Sequence, residues 1–476
     1  MSLNKLFLIV LLASALTLSG QTKVHSTTQT KPNIIIIFYD DFGYGDIGCY
    51  GSEKNRTPNL DLMAQEGIRF TDFYVTSGVC TPSRSSLMTG CYPRRVDLHV
   101  NAKPKGSVGR QVLFPVAKKG LNPNEITIAE ILKSKGYATA CIGKWHLGDQ
   151  NEFLPTKQGF DYYFGIPYSN DMNRDFCPLP LMKNEEVIEA PVDQNTLTKR
   201  YTEEAIKFIE INKNDPFFIY LPHAMTHNPV HASDGFRGKS ANGIYGDAVE
   251  ELDWSTGEIL KALKENGVDS STWVILTSDN GAAERFGGSN LPLSGWKGST
   301  MEGGMRVPCI MRWPGVIPAG KVSEEMVTTM EILPTIAKMI SYSLPKDVII
   351  DGKNMYELMV NPKTKSPREV FYYYQLEQLQ AVRSGDWKLL LPLDSMYTNI
   401  HLGTFGKGRE MQLINLKNDI KEERDVSDKH PEVVARLMKY AQEARKDLGD
   451  LNNEGVNTRK AGMVDNPVPQ LLKPEK

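Results

Sequence analysis

Four short apolar runs, each followed directly by polar residues, constrain the fold of this chain more than any other feature. Amphipathic helical patterns separate the runs, and this alternation is typical of an α/β protein with a largely parallel sheet. In open sheets of this kind ligands bind beyond the carboxyl ends of the strands, so the four endings predict one convergent site. The runs are NIIIIFY (33–39), YATACI (137–142), PFFIYL (216–221) and TWVILTS (272–278).

The polar residues after these runs carry carboxylates, an amide, a lysine and histidines. One such ending alone is more often a helix cap or a turn, whereas four together favour a site. Three carboxylates and an amide supply only oxygen ligands, which suit a hard divalent cation such as Ca²⁺ or Mg²⁺ and suit Zn²⁺ poorly. The endings are Asp40 and Asp41, Lys144 and His146, His223 and His227, and Asp279 and Asn280.

A polar segment that contains proline, NPKTKSPRE (361–369), predicts a boundary between a main domain (30–365) and a C-terminal α+β subdomain (366–450). The segments VFYYYQ, LQAVRSGDWKLLLP and EMQLINL predict a smaller antiparallel sheet. A helix that starts at Pro431 and is capped by Gly449 closes this sheet. Weak periodicity in residues 451–476 predicts a loosely ordered tail.

The N-terminus predicts export. Lys5 precedes the apolar run FLIVLLASALTLSG, which suits the core of a signal peptide (1–20) cleaved near Ser19 to Gln21 and is too short for a bilayer span. An uncleaved anchor or a buried helix is the alternative. No later apolar run is long enough to cross a membrane. We therefore expect a periplasmic or secreted protein without membrane contact after cleavage.

The overall composition excludes several function classes. A chain of 476 residues with a net charge of −2 can bury a large core but shows no electrostatic footprint for nucleic acid or membrane binding. Because the net charge is close to zero, any attraction for an anionic partner must be local. Six cysteines are too few for a disulfide scaffold in a chain of this length.

Cys80 lies in the stretch GVCTPSRSSLMTG (78–90), where it is a disulfide partner, a thiolate nucleophile or the precursor of another group. Thr81 can cap and Pro82 can start a helix running to Gly90, whose N-terminus favours an anion. The pattern of a thiolate phosphatase requires Arg at position 86, where this chain has Ser. A thiolate would also be a poor ligand for a hard cation, so the residues alone leave the role of Cys80 open.

CTPSR followed by LMTG resembles the signature of the type I sulfatase family, in which the cysteine is oxidised to formylglycine after translation. The resemblance spans nearly the whole mature chain and is closest to the arylsulfatase A and N-acetylgalactosamine-6-sulfatase branch. It implies an alkaline-phosphatase-like α/β fold, with a mixed, largely parallel sheet flanked by helices and a smaller C-terminal antiparallel sheet plus helix. The other motifs, in family order, are FYDDFGYGD, GKWHLG, GIPYSND, THNPV, TSDNG and KGSTMEGGMRVP.

The resemblance also implies a metal site that holds Ca²⁺, with Mg²⁺ as the alternative ion. A hydrated aldehyde offers two hydroxyls, so one oxygen can bind a hard cation while the other attacks sulfur. The implied ligands are Asp40, Asp41, modified Cys80, Asp279 and Asn280.

The remaining motif positions are implied to bind sulfate or to move protons. Arg84 would hold the aldehyde hydrate, and Lys144 and Lys297 would bind sulfate oxygens. His146 resembles the base for the second hydroxyl. His227, with Lys297, resembles the acid that serves the leaving oxygen, and Ser169 matches a position near the sulfate. His223 and His231 match no catalytic position, and we expect structural or solvent roles for both.

The implied activity is hydrolysis of sulfate esters, on sulfated sugars or polysaccharide fragments, after maturation by a formylglycine-generating or sulfatase-maturating enzyme. Two alternatives stay open: a phosphonate or phosphate ester hydrolase of the same superfamily, and an inactive carbohydrate-binding relative. Pocket loops would set the substrate, and the candidate loops are 170–182, 231–246 and 375–401.

Overall fold

The computed structural model describes residues 31–101, 110–397 and 405–473. The predicted signal peptide lies outside the described residues. Within them, no helix combines the length and apolar character that a bilayer crossing requires. From Lys31 onward the chain forms one compact unit.

The strands, in chain order, are β1 (Asn33–Tyr39), β2 (Ile68–Phe70), β3 (Phe73–Tyr74), β4 (Lys119–Gly120), β5 (Ala138–Ile142), β6 (Tyr162–Gly165), β7 (Leu181–Lys183), β8 (Glu186–Glu189), β9 (Phe217–Pro222), β10 (Thr272–Ser278), β11 (Cys309–Arg312), β12 (Lys321–Ser323), β13 (Val327–Thr328), β14 (Val370–Gln375), β15 (Gln378–Ser384), β16 (Trp387–Leu390), β17 (Leu393–Tyr397), β18 (Phe405–Arg409), β19 (Gln412–Asn415), β20 (Gly449–Asp450), β21 (Asn453–Glu454) and β22 (Gly462–Met463). The α-helices are α1 (Pro58–Gln65), α2 (Cys80–Thr89), α3 (Ile128–Lys133), α4 (Leu197–Asn212), α5 (Gly243–Glu265), α6 (Glu302–Met305), α7 (Ile332–Met339), α8 (Tyr356–Val360) and α9 (Pro431–Asp447).

The four apolar runs form neighbouring strands of a ten-stranded mixed sheet, in the order β12-β2-β11-β10-β1-β9-β5-β6-β7-β8. β10, β1, β9, β5 and β6 are parallel to one another, so the prediction of an α/β fold with a largely parallel sheet is confirmed. The sequence analysis missed β6, a short strand without a long apolar run. All seven residues of β1 are buried, as expected for a strand covered on both faces.

Successive residues of β1 face two different cores. Ile35 and Ile37 pack with residues of α1, α4 and α5, whereas Ile34 and Ile36 pack with residues of α2, α3 and α7. Helices therefore cover both faces of the sheet. This leaves its carboxyl edge as the place where polar groups can gather.

The predicted C-terminal sheet is present as four antiparallel strands, in the order β14-β15-β16-β19. Helix α9 begins at Pro431 and buries Leu437 and Ala441 in the same core cluster as this sheet. Gly449 follows the helix with a φ of +87°, which confirms its predicted place at the cap. The boundary near residue 365 stays a prediction, because the residues on both sides of it belong to one compact unit.

The C-terminal segment differs from its prediction. Weak periodicity predicted loose order after residue 450, but β22 pairs with β4 and Val464 N donates to Lys118 O over 2.8 Å. Further along, Gln470 Nε2 donates to Asp149 O over 2.7 Å. These contacts join residues far apart in the chain, so local periodicity carried no sign of them.

Candidate active site at the carboxyl edge of the sheet

The predicted polar endings converge at the carboxyl edge of the parallel strands. Lys144 Nζ, after β5, donates to Asp40 Oδ2 over 2.5 Å and to Ser169 Oγ over 3.1 Å. Ser169 Oγ in turn lies 3.4 Å from His227 Nε2. These residues follow β5, β1, β6 and β9, so one chain of contacts crosses four neighbouring strands.

Asp41 and Lys297 extend the cluster. Lys297 Nζ lies 2.7 Å from both carboxylate oxygens of Asp41, and Asn280 Nδ2 donates to Asp41 Oδ1 over 2.8 Å. His227 Nε2 is 3.8 Å from Asp41 Oδ2. Lys297 comes from a loop after β10, and its ion pair with Asp41 brings it to the strand ends.

A glycine permits the close approach of β5 and β9 at the site. Gly143 has a φ of +135°, and a Cβ there would lie 1.9 Å from the carbonyl oxygen of Pro222. Without a side chain at this position, Lys144 N can donate to Pro222 O over 2.7 Å. This turn holds the Lys144 backbone against the end of β9.

A buried group of potential ligands lies at the centre of the cluster. Ligand atoms of Asp40, Cys80 and Asp279 all lie within 4.8 Å of one another, and all three side chains are buried. Burial and the nearby charge of Asp40 raise the pKa of Asp279 above its ordinary value. A cation bound between these carboxylates would offset their repulsion.

Two side-chain oxygens at this group, one from Asp40 and one from the neighbouring Asn280, have no hydrogen-bond partner among the described residues. Asp40 Oδ1 and Asn280 Oδ1 are buried, yet neither accepts a hydrogen bond, and Arg84 Nη2 stands 3.6 Å from Asp40 Oδ1. Buried oxygens without partners are costly, and a hard cation is the partner that such an oxygen set suits. The residues therefore fit the implied cation. Asp41 instead faces Lys297 and Asn280, so its place among the ligands stays a prediction.

We expect Asp279→Asn to weaken Ca²⁺ binding by about tenfold or more, because it removes one charge from the ligand set while keeping an oxygen that Arg84 can bind. Elemental analysis of each protein, after dialysis against the same calcium-containing buffer, measures the bound Ca²⁺. Asp253→Asn is the matched control, since that buried carboxylate binds Asn59 and Leu60 instead. Equal calcium in both variants and the wild type would contradict the site, as would stoichiometric zinc as the wild-type metal.

Cys80 is the first residue of helix α2, which requires a correction to the predicted helix start. The prediction placed the cap at Thr81 and the start at Pro82, but the helix begins at Cys80 and Val79 occupies the cap position. The Thr81 hydroxyl instead donates to His146 O over 3.0 Å and accepts from Leu113 N over 3.2 Å. The Thr81 hydroxyl thus connects α2 to the backbone of His146 and of Leu113.

The structure argues against two interpretations of Cys80, the disulfide partner and the thiolate nucleophile. All six cysteines lie in the described part of the chain, and each is a free thiol there. Burial raises the pKa of the Cys80 thiol to about 11, although Lys144 and Lys297 act to lower it. In this structure Cys80 therefore has no disulfide partner, and its burial disfavours the thiolate form.

Arg84 lies one helical turn after Cys80 and is fully buried. Its Nη2 and Nε donate to Asp279 Oδ2 over 2.7 and 3.1 Å, and its Nη1 donates to Lys144 O over 2.7 Å. With all these bonds the guanidinium is rigidly held beside residue 80.

The hydrogen bonds of His146 determine which ring nitrogen carries the proton. His146 Nε2 lies 2.9 Å from Leu113 O, and a carbonyl only accepts, so Nε2 carries the hydrogen. Burial and the charge of Lys144 hold the pKa of His146 well below its ordinary value, so the ring is neutral. His146 Nδ1 has no partner among the described side chains and backbone. It is an available proton acceptor.

Of three further histidines, one lies in the cluster and two lie outside it. His227 Nδ1 donates to Asn228 O over 2.7 Å, which turns Nε2 towards Ser169. His223 is buried with Nε2 3.3 Å from Ser255 Oγ, and burial lowers its pKa to about 3. His231 Nδ1 lies 3.1 Å from Asn195 Oδ1. Neither His223 nor His231 belongs to the cluster.

A cavity of about 40 Å³ opens onto the cluster. Of the three predicted pocket loops, only 170–182 contributes lining side chains within the described residues. Val112 and Phe114 also line the cavity, and no motif or strand end marks them in the sequence. The lining residues are Val79, Cys80, Val112, Phe114, His146, Ser169, Asp171, Met172, His227 and Lys297.

Two family models match the chain. The model described as sulfatase matches residues 32–342, and the model described as N-sulphoglucosamine sulphohydrolase, C-terminal, matches residues 296–447. The second match begins beside Lys297 and covers the C-terminal sheet and all of α9.

Named relatives agree with these matches. Human steryl-sulfatase is 35% identical over 444 residues, covering 76% of this chain and 75% of the relative. Mouse N-acetylgalactosamine-6-sulfatase is 38% identical over 392 residues, covering 78% of this chain and 74% of the relative. A solved structure from Bacteroides thetaiotaomicron, described under the metabolism of multiple glycosaminoglycans, is 29% identical with a TM-score of 0.77, covering 87% of this chain and 99% of that one.

Proposed function

Because this chain belongs to the sulfatase family and is a sulfuric ester hydrolase, we propose that it hydrolyses sulfate esters of saccharides with a formylglycine made from Cys80 and a bound hard cation. The observation that carries the proposal is the buried group of Asp40, Cys80 and Asp279, whose ligand atoms lie within 4.8 Å. A buried, protonated thiol has no evident use there, whereas an oxygen-bearing residue 80 would complete an oxygen ligand set.

The modified residue and the cation would supply the nucleophilic and Lewis-acid chemistry. Converted to formylglycine, residue 80 would provide a hydrated aldehyde in which one hydroxyl attacks sulfur and the other gives up a proton as sulfate leaves. Asp40, Asp279 and Asn280 would hold the cation beside residue 80. Arg84, one turn along α2, would orient the hydrate through its fixed guanidinium.

His146 would accept the proton from the second hydroxyl. Its Nε2 hydrogen is committed to Leu113 O, so the lone pair of Nδ1 remains for this task. Burial and the charge of Lys144 lower the pKa of His146 and keep the ring neutral, so the Nδ1 lone pair carries no proton before the reaction.

Lys144 and Lys297 would bind the sulfate oxygens, with Ser169 beside Lys144 as a further hydrogen-bond donor. Both ammonium groups are held by carboxylates, Lys144 by Asp40 and Lys297 by Asp41, so their positions are set before sulfate arrives. His227 Nε2 lies next to Ser169 and would donate a proton to the leaving oxygen.

The substrate assignment rests on the relatives and on the rim of the cavity. The named relatives act on an N-acetylgalactosamine sulfate and on steryl sulfate, and the similar solved structure is described under glycosaminoglycan metabolism. At the cavity rim, the exposed carboxylate of Asp171 can accept hydrogen bonds from sugar hydroxyls. We favour a sulfated saccharide for these reasons. Export, and maturation by a formylglycine-generating or sulfatase-maturating enzyme, belong to the same proposal.

We expect Cys80 to carry formylglycine in active preparations. Peptide mass spectrometry across residue 80 should show loss of the thiol and gain of an aldehyde, and activity should rise with the modified fraction of the same sample. The peptide that contains Cys91 is the internal control, since that buried thiol should stay unmodified. Activity in a sample whose Cys80 is wholly unmodified would end the formylglycine proposal.

Turnover of nitrophenyl sulfate and nitrophenyl phosphate on one preparation separates the proposal from its alternatives. The proposal requires faster turnover of the sulfate ester. Preference for the phosphate ester would favour a phosphorus ester hydrolase. Absence of turnover in a fully modified preparation would favour an inactive carbohydrate-binding relative.

A further inference from the structure

The loop that carries Lys297 is held from two sides. On the catalytic side, Lys297 N donates to Ala282 O over 3.0 Å, and Gly298 N donates to Gly78 O over 2.7 Å. Gly78 lies two residues before Cys80. The loop therefore contacts both the end of β10 and the approach to α2.

On its other side, the same loop is bonded to the C-terminal subdomain. Thr300 Oγ1 donates to Gln380 Oε1 over 2.8 Å, and Lys388 Nζ donates to Thr300 O over 2.8 Å. Ser294 Oγ donates to Glu422 Oε2 over 2.5 Å. Gln380 lies on β15, Lys388 on β16 and Glu422 after β19, so three segments of this subdomain contact one loop.

A buried ion cluster locks these contacts together. Lys388 Nζ lies 3.0 Å from Glu302 Oε1 and 2.7 Å from Glu422 Oε1, and all three side chains are fully buried. Glu302 N also donates to Glu422 Oε2 over 2.8 Å. Although burial alone would raise the pKa of Glu302, the charges of Lys388, Arg383 and Arg306 lower it below its ordinary value. In a buried cluster of this kind, loss of one charge leaves its partners unpaired, so the geometry is strongly defined.

We propose that Lys388, Glu422 and Thr300 are positioning residues that hold Lys297 at the sulfate site, so that the C-terminal subdomain is part of the catalytic apparatus. None of the three lines the cavity in the described structure, so they act through the loop and not on the substrate. The inference rests on the proposed role of Lys297 in binding sulfate. The C-terminal sheet would thus contribute to catalysis although none of its described residues lines the cavity.

A double-mutant cycle tests this role. Glu422→Gln keeps the acceptor for Ser294 but removes the charge that pairs with Lys388, and should lower kcat/KM for nitrophenyl sulfate about tenfold or more through displacement of Lys297. In a Lys297→Ala background the same change should have an effect within about twofold, since the group it positions is absent. Glu423→Gln, the same chemical change on the exposed neighbour, is the matched control and should leave activity unchanged.

A second pair of variants covers the case in which Glu422→Gln does not fold. Thr300→Val removes the hydroxyl that donates a hydrogen bond to Gln380 Oε1 and keeps a similar side-chain shape. Thr300→Ser keeps the hydroxyl and should retain activity. Binding of inorganic sulfate, measured by calorimetry on every variant, should follow the same pattern as kcat/KM. Equal losses with and without Lys297, or no loss in the wild-type background, would overturn the positioning role. A wild type that binds sulfate but hydrolyses no ester would refute the proposed function, and the sulfate-binding cycle would still decide the positioning role.

Discussion

Replacement of Cys80 by alanine is expected to lower turnover of nitrophenyl sulfate by about 10⁴-fold or more, because it removes the proposed nucleophile and leaves no substitute at that position. The fold should survive, since alanine is a good helix former and residue 80 is the first residue of α2. Lys144 and Lys297 remain in this variant, so inorganic sulfate should still bind. Steady-state kinetics, calorimetry with sulfate and thermal unfolding measure the three expectations.

Cys141→Ala is the matched control for this change. Cys141 is a fully buried thiol on β5, the strand that leads to Lys144, and it does not line the described cavity. Loss of its sulfur should cost some stability and leave kcat within about tenfold of the wild type. If Cys80→Ala retained activity in that same range, the nucleophile would have to lie elsewhere and the formylglycine proposal would be wrong.

The strand endings of the site were predictable because the information is local. In β1 and β10 a largely apolar strand is followed within two residues by carboxylates or an amide, and a buried parallel strand explains both the apolar run and its abrupt end. The same reasoning placed Lys144 and His146 after β5. What these patterns determine is which residues end strands, and the parallel arrangement then brings the endings to one edge.

Helix α2 could be placed from its motif but not from periodicity. All ten of its residues are buried, so no polar face alternates with an apolar one. Several of its hydroxyl groups are bonded inside the protein, as with Ser85 Oγ, which donates to Pro82 O over 2.7 Å, whereas Ser83 Oγ has no hydrogen-bond partner among the described residues. The predicted start failed for a related reason: Thr81 bonds to His146 and Leu113, partners that are distant in sequence.

The support of Lys297 was beyond sequence reasoning altogether. Lys388 and Glu302 are separated by the segment between α6 and β16, and although Glu302 lies in the motif KGSTMEGGMRVP, nothing in either stretch indicates that the two side chains pair. Only the packing of the C-terminal sheet against the loop joins them into a buried ion pair. Val112 and Phe114 were missed for the same reason, since nothing in their local sequence indicates that they line the cavity.

Replacement of His227 by alanine is expected to slow hydrolysis of a sugar sulfate by about 10² to 10⁴-fold and that of nitrophenyl sulfate far less. A sugar alkoxide is a basic leaving group that needs a proton, whereas nitrophenolate leaves as a stable anion. The geometry suits a donor: Nδ1 is bonded to Asn228 O, and Nε2 faces Ser169 and Asp41 at the cavity. Burial and Lys297 lower the pKa of His227, and the charge of a bound sulfate ester would favour its protonated form.

Single-turnover rates on both substrates are the required measurement, because release of sulfate through His146 could limit the steady state and mask the difference. His231→Ala is the matched control, since this neighbouring histidine bonds to Asn195 and does not line the described cavity. A group that only bound sulfate would be needed equally by both esters. Equal losses on the two substrates would therefore remove His227 from the acid role, and Lys297, which lies 2.7 Å from Asp41 on the same side of the cluster, would become the candidate donor.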